Sequence, residues 1–283
     1  MGPERTTTLR QIIDHKRREV EAAQKVRTQG QLEDMIGELG RPRNLFSAVT
    51  NRRDQSSTAV IAEIKRKSPS AGWIRPEYER DDFDPVPIAK GYASAGAAAI
   101  SCLTDERFFA GRAAFVHQIR DAVALPVLRK DFILEPWQVW ESRAIGADAI
   151  LLIAECLTES EIIDLMILAR ELELTTLIEC HAMENLLRIR PHIGFPSRSY
   201  SLLGINNRDL STMTSDLNHT LRLVDLVDDP SVLVSESGIH EPAHLEKLRK
   251  EGVHIALVGE ALMRTAEPGE ALRVLLGADG AKG

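Results

Sequence analysis

Residues 60–70, VIAEIKRKSPS, set two opposite charges inside a run that otherwise reads as a fully buried strand. Side chains alternate along an extended chain, so Ile61, Glu63 and Lys65 share one face and Val60, Ala62 and Ile64 take the other. The second face is purely apolar. With that face against a core, Glu63 and Lys65 cost several kcal/mol of desolvation unless they are paired or solvated. The run breaks at Ser68-Pro69-Ser70-Ala71-Gly72, a turn signal just past the charges. A strand that carries charged groups at its C-terminal end and then enters a loop is where parallel α/β folds place their active sites.

Similar β-rich runs recur at 98–103, 126–132, 149–154, 175–180, 202–206, 232–235 and 255–259. With 60–64 they make about eight, the number that closes a parallel barrel. Helical segments lie between them. Thr158 followed by Glu161 is a capping box, opening a helix whose apolar face is Ile162, Leu165, Met166 and Ala169. Pro136 and Pro242 stand where a first helical turn tolerates proline. Gly96-Ala97, Gly146-Ala147 and Gly252-Val253 each precede a strand, as glycine does when it ends one helix before the next strand begins. Upstream, 9–27 reads as an amphipathic helix with Leu9, Ile12, Ile13, Val20 and Ala23 near helical spacing, and Leu45, Phe46 and Val49 suggest a further docking turn. The expectation is an α/β fold, a (β/α)8 TIM barrel over 58–283, with a helical extension over 1–57 packed on it as one structural domain. A doubly wound open sheet is the alternative, but no run carries G-x-G-x-x-G.

The totals narrow the function. The chain has 283 residues, 43% hydrophobic and 27% charged, a globular composition, and a net charge of −7. That balance argues against a nucleic-acid partner, which needs a basic surface, without excluding a local anion site. Cys102, Cys156 and Cys180 are odd in number and widely spaced, which speaks for buried thiols in a reducing cytoplasm rather than disulfides or a metal site. No apolar run approaches a membrane span, and the start MGPERTTT lacks a signal-peptide core. A soluble cytoplasmic protein follows as the expectation, with no membrane partner and no second enzyme domain.

Alternation on the other strands gives the same result as on the first. Lys130 stands two positions after Leu128, Glu179 two after Leu177 and Glu236 two after Val234, and Asn206 ends the run Leu203-Gly204-Ile205. A lone charge at a strand end is more often a structural ion pair than a catalyst. Glu63, Lys65, Lys130, Glu179, Asn206 and Glu236 gathered on one rim of a barrel reverse that balance. Ser237-Gly238 and Gly259-Glu260 then place glycines in the last two loops, ahead of a short helical turn that Ala261, Leu262 and Met263 would supply. Such loops are the usual phosphate site of these barrels, so a phosphorylated small molecule is the expected partner.

These residues carry a specific resemblance. AEIKRKSPS (62–70), DFDP (82–85), SCLTDERFFAG (101–111), LRKDFI (128–133), GADAILLIA (146–154), LIECH (177–181), GINNRDL (204–210), VSESGI (234–239) and LVGEALM (257–263) occur in the order found in the indole-3-glycerol-phosphate synthase family. IIDHKRREV in the extension is similar to the family segment that caps the bottom of the barrel and helps close over the substrate. The resemblance implies a monomeric enzyme of tryptophan biosynthesis that needs no cofactor and no metal. It would close 1-(2-carboxyphenylamino)-1-deoxyribulose 5-phosphate into indole-3-glycerol phosphate with loss of carbon dioxide and water. It implies Lys130 as a proton donor to the ketone, Lys65 and Arg208 as cations for the ring carboxylate, and Glu179 in the late proton transfer. Glu63 would tune the lysines, Asn206 orient the substrate and Glu236 complete the rim. Ser68, Pro69 and Ser70 would border the substrate, and Ser237, Gly238, Gly259 and the backbone N–H of Glu260 would hold the phosphate.

The chain departs from the family pattern at Cys102, where valine is common, at 75–80, which lengthens the first loop, and at 194–201, an unusually polar approach to the sixth strand. Trp73 in the first loop either touches the aromatic substrate or anchors the loop. Two rivals remain on the residues alone: an aldolase that captures a carbonyl through a lysine Schiff base, and a phosphate-ligand sensor that kept the barrel without the chemistry.

Overall fold

The computed structural model describes residues 9–51, 57–209 and 214–277; the polar start MGPERTTT lies outside them. Eight parallel strands form a closed ring in chain order: β1 (Ala59–Ile64), β2 (Ala99–Leu103), β3 (Val127–Lys130), β4 (Ala149–Ile153), β5 (Thr175–Cys180), β6 (Ser201–Asn206), β7 (Leu233–Glu236) and β8 (Ile255–Val258). Closure is direct, with Ala59 of β1 opposite Ile255 of β8 on one side and Ile61 opposite Ala99 of β2 on the other. The expected barrel is present and the open sheet is ruled out. Strand limits shift by a few residues. The run at 126–132 stops at Lys130, Glu236 belongs to β7 itself, and Gly259 leaves β8 to precede the helical turn Glu260–Met263.

Alternation divides the core as the period of two demands. Ile61, Leu128, Leu151, Leu177, Leu202, Val234 and Leu257 fill the barrel, while Val60, Ala62, Ile64, Ile100, Ile150 and Ile178 pack outward against the helices. The helices begin and end on the expected residues. Thr158 and Glu161 form the capping box of Glu159–Glu171, and Pro136 and Pro242 open Pro136–Ala144 and Pro242–Lys250. Gly96, at φ +94°, takes the left-handed conformation that ends the helix before β2. Cys102 and Cys180 are buried, Cys156 is half-buried, and all three are free thiols. Among the described residues no helix is long and apolar enough to cross a membrane.

The extension serves both ends of the barrel, which corrects the expectation drawn from IIDHKRREV. Helix α1 (Leu9–Val26) lies at the C-terminal mouth, where Leu9 and Ile12 line the central cavity. Helix α2 (Gln29–Gly37) packs Leu32 against Trp137 and Ala144 on the flank. The bottom is closed instead by α3 (Leu45–Thr50), whose buried Leu45 and Val49 join the barrel interior beside Ala59, Ile61 and Ala99. Asn44 caps α3 by accepting from the Ser47 N–H at 2.7 Å.

One buried carboxylate fastens that lower end. Asp148, fully buried, accepts from the backbone N–H of Arg43 at 2.7 Å and of Val127 at 2.9 Å, and pairs with Arg120. Arg43 in turn donates to the carbonyls of Arg120, Val123 and Leu125. Removing one partner of a buried pair leaves the other uncompensated. Asp148→Asn is therefore expected to lower the unfolding free energy by about 3 kcal/mol, read from denaturant titration. An unchanged midpoint would show that Asp148 is not the fastening.

Candidate active site

The strand ends converge on one cavity of about 440 Å³ at the C-terminal mouth. Glu63, Lys65, Lys130, Glu179, Asn206 and Glu236 all line it, as do Ser68, Pro69, Ser70, Arg208, Ser237, Gly238, Gly259 and Glu260. All fourteen of these residues thus border one space.

At the centre, the Lys130 ammonium lies 2.7 Å from Glu179 Oε2 and 3.3 Å from Glu236 Oε2. Asn206 Nδ2 donates to Glu179 Oε1 at 2.9 Å, and Lys65 Nζ meets Glu63 Oε1 at 2.7 Å. Burial works against each of these charges, but three carboxylates, Glu179 first, outweigh it for Lys130 and push its pKa up. Burial also works to raise Glu179, and Lys130 outweighs it, holding that carboxyl below its ordinary range. Glu236 goes the other way: burial, then the Glu179 charge, push it well above that range. The two carboxyls are thereby pushed in opposite directions, Glu179 toward the ionised form and Glu236 toward the neutral one. The geometry sets one ammonium between two carboxyl groups of unequal acidity.

Two glycines make room for this set. Gly204 faces inward on β6, where a Cβ would collide with Glu236 Oε1, and a Cβ at Gly259 would come within 2.9 Å of Glu63 Cβ. In the sequence Gly259 is expected only as a phosphate-loop residue, and nothing local marks Gly204.

The end of the cavity near β7 and β8 has a different character. Ser237 and Gly238 follow β7 at φ +66° and +75°. A non-glycine residue in that region costs about 1–2 kcal/mol, so something must hold Ser237 there. Asn207 does: its Nδ2 donates to the Ser237 carbonyl and to Ser235 Oγ, both at 3.0 Å, while its Oδ1 accepts from the Thr220 backbone at 2.9 Å and hydroxyl at 2.8 Å. Above this turn Arg208 bridges Ser70 Oγ and Glu260 Oε2, the latter at 2.9 Å. Burial would raise Glu260, but hydrogen bonds from Arg264 and Arg208 bring it down to about 2.

The opposite wall is apolar, built by Leu9 and Ile12 of α1 with Phe109 and Phe132 from the loops after β2 and β3. The two phenylalanine rings lie 6.2 Å apart at 42°. Neither was singled out in the sequence, although both fall within quoted stretches, SCLTDERFFAG and LRKDFI. The first loop forms a hairpin of Lys67–Ser68 with Gly72–Trp73 and then a 3₁₀ turn, Pro76–Glu79, in the lengthened segment. Trp73 does not line the cavity; it packs on Arg66, 5.3 Å from its ring centroid, and on Lys67. Of its two readings the structure supports the loop anchor. Arg66 completes that anchor through the carbonyls of Tyr78 at 2.8 Å and Arg80 at 2.6 Å.

The close fit at Gly204 can be tested on its own. Gly204→Ala is expected to cost about 1–3 kcal/mol of stability by overpacking, measured by denaturant unfolding, with Glu236 driven off Lys130. A variant of unchanged stability with Glu236 still in place would contradict that fit.

Comparison with known proteins gives the family. The family model described as indole-3-glycerol phosphate synthase matches residues 9–275. The protein of that name from Acidithiobacillus ferrooxidans is 44% identical over 273 residues, covering 95% of this chain and 98% of the relative. That from Geobacillus thermodenitrificans is 44% identical over 245 residues, 87% of this chain and 91% of the relative. Among solved structures, the tryptophan synthase alpha subunit of Legionella pneumophila superposes with a TM-score of 0.57 at 15% identity, over 83% of this chain and 98% of that one, a likeness of fold alone. On the match across nearly its whole length, the chain belongs to the indole-3-glycerol phosphate synthase family.

Proposed function

We propose that this rim performs the family's reaction with Lys130 as proton donor and Glu179 as proton acceptor. The chain is a carboxy-lyase of tryptophan biosynthesis that converts 1-(2-carboxyphenylamino)-1-deoxy-D-ribulose 5-phosphate into indole-3-glycerol phosphate. The observation that carries the assignment of roles is the Lys130 ammonium set between the carboxyl groups of Glu179, at 2.7 Å, and Glu236, at 3.3 Å, in the cavity.

In ring closure the aromatic carbon bearing the carboxylate attacks the ketone carbon, and the ketone oxygen takes a proton from Lys130. The raised pKa of Lys130 keeps that proton present throughout the neutral range, at some cost in acid strength. Lys65 and Arg208 bind the carboxylate until carbon dioxide leaves, and the aromatic ring sits against Phe109, Phe132, Leu9 and Ile12. The hydroxyl then departs as water with a proton from a lysine of the rim, Lys65 or Lys130, and Glu179, ionised and oriented by Asn206, removes the remaining proton. Glu63 holds Lys65 in place, and Glu236 is the second carboxyl partner of Lys130. At the far end the backbone N–H groups around Ser237, Gly238, Gly259 and Glu260 receive the phosphate. The reading takes the extension (1–57) and the barrel (58–283) as one working unit, a cytoplasmic monomer without cofactor. A Schiff-base mechanism needs a lysine made neutral by a depressed pKa, and Lys130 is shifted the opposite way.

Following indole fluorescence after adding the substrate to the metal-free chain tests the reading. Lys130→Ala and Glu179→Gln are each expected to lower turnover about a hundredfold or more, and near-normal rates in both would sink the roles given them. Borohydride should trap no substrate on Lys130 or Lys65. Substrate binding with no indole formed would make the chain a sensor. The pH profile is a further check. Lys130 lowers the Glu179 pKa, so in the residual activity of Lys130→Met the acidic limb of kcat/KM should move to higher pH. A limb that stays in place would separate it from Glu179.

A further inference from the structure

Among the buried charges that the mechanism leaves unused, one lies on α1. In α1 the buried residues are Ile12, Lys16 and Val20, spaced four apart on one stripe, and the middle one is a lysine only 1% exposed. A buried ammonium persists only where carboxylates and hydrogen bonds replace water. Lys16 Nζ has three carboxylates: Asp131 Oδ1 at 2.9 Å, Glu19 Oε1 at 2.9 Å and Asp105 Oδ2 at 3.1 Å.

Asp131 and Asp105 are fixed at the places where the cavity gets its aryl wall. Asp131 follows Lys130 directly, and its Oδ1 accepts from the Phe132 N–H at 2.8 Å. Its Oδ2 is held by Thr104 at 2.6 Å and by Arg129 at 3.1 Å, and Arg129 is tied to Glu141 at 2.8 Å. Asp105 caps the turn Glu106–Phe109, accepting from the Phe108 N–H at 2.7 Å, and this turn delivers Phe109. The buried Oδ2 of Asp105 has no hydrogen bond of good geometry, so the Lys16 charge is what balances it. One ammonium thus joins the helix that supplies Leu9 and Ile12, the loop that supplies Phe109, and the loop that supplies Lys130 and Phe132. The turn of Ser237 and Gly238 and the Gly259–Glu260 step, on β7 and β8, take no part in this network.

We propose that Lys16 is a positioning residue that seats α1 against the β2 and β3 loops and so shapes the aryl end of the active site, leaving the phosphate end independent of it. The proposal rests on the substrate orientation given under the proposed function, with the ring toward Phe109 and Phe132.

The test compares Lys16→Met, Lys16→Arg and the double variant Lys16→Met/Asp105→Asn with the parent. Asparagine keeps the cap while removing the charge that Lys16 balances. The expected result is a KM for the carboxyphenylamino substrate raised about tenfold or more in Lys16→Met and in the double variant, with a smaller fall in kcat and with Lys16→Arg close to the parent. Competitive inhibition by inorganic phosphate should stay within about twofold of the parent in all three, since phosphate reads only the other end. An unchanged KM overturns the proposal. So does a double variant that recovers the parental KM, which would reduce Lys16 to charge balance, and so does phosphate inhibition weakened in step with the KM. If Lys16→Met fails to fold, the double variant and Lys16→Arg decide by the same readings. A parent chain that forms no indole product defeats the functional reading itself, an outcome distinct from all of these.

Discussion

An ammonium buried between two glutamates sets the terms for the rest of the molecule. Lys130, Glu179 and Glu236 sit where water is scarce, so each charge must be answered by a neighbour at fixed distance. Burial raises both carboxyls, Lys130 outweighs it for Glu179 and the Glu179 charge adds to it for Glu236, so the two differ in acidity although they share one cation. Fixed distance in turn requires rigid carriers. Five of the eight barrel strands supply Glu63, Lys130, Glu179, Asn206 and Glu236 from their last two positions, with Lys65 one residue beyond β1. The closed ring holds those positions in register. A second tier of charges, Asp131 with Arg129 and Lys16, then stiffens the backbone next to Lys130.

Much of this was legible in the sequence because strand alternation is a one-dimensional signal. Once Ile61 is inside, Glu63 and Lys65 must point into the mouth, and the same count from Leu128, Leu177 and Val234 brings in Lys130, Glu179 and Glu236. Caps are equally local, and Thr158, Pro136, Gly96 and Gly146 all stand at the helix ends they mark. What escaped depends on pairs that meet only after folding. Lys16 looks like one more charge on a solvated helix until Asp105 and Asp131 arrive from other strands. Asp148 is an ordinary acid in GADAILLIA until Arg43 and Arg120 close on it. Gly204 gives no local hint that a carboxylate needs its missing Cβ.

The split of the extension escaped for a related reason. Amphipathic spacing says that a helix has a buried face, but not which end of a barrel receives it. The Leu45 and Val49 pair fits the narrow apolar lower end, whereas the Ile12, Lys16 and Val20 stripe carries a cation that only the acidic loops after β2 and β3 can accommodate.

The bridging of Arg208 by Glu260 and Ser70 has a counterpart in Lys65 with Glu63 and in Lys130 with Glu179. Each cation that would meet the substrate's negative groups is therefore already half of an internal salt. Entry of the ligand becomes an ion exchange, in which an incoming anion takes over part of a bond that a protein carboxylate gives up. Net affinity is then a difference between two similar attractions. Small stray anions, which offer one contact and no ring for the apolar wall, gain little from the trade, so the resting site is self-screened until a molecule arrives that can satisfy several of its salts at once.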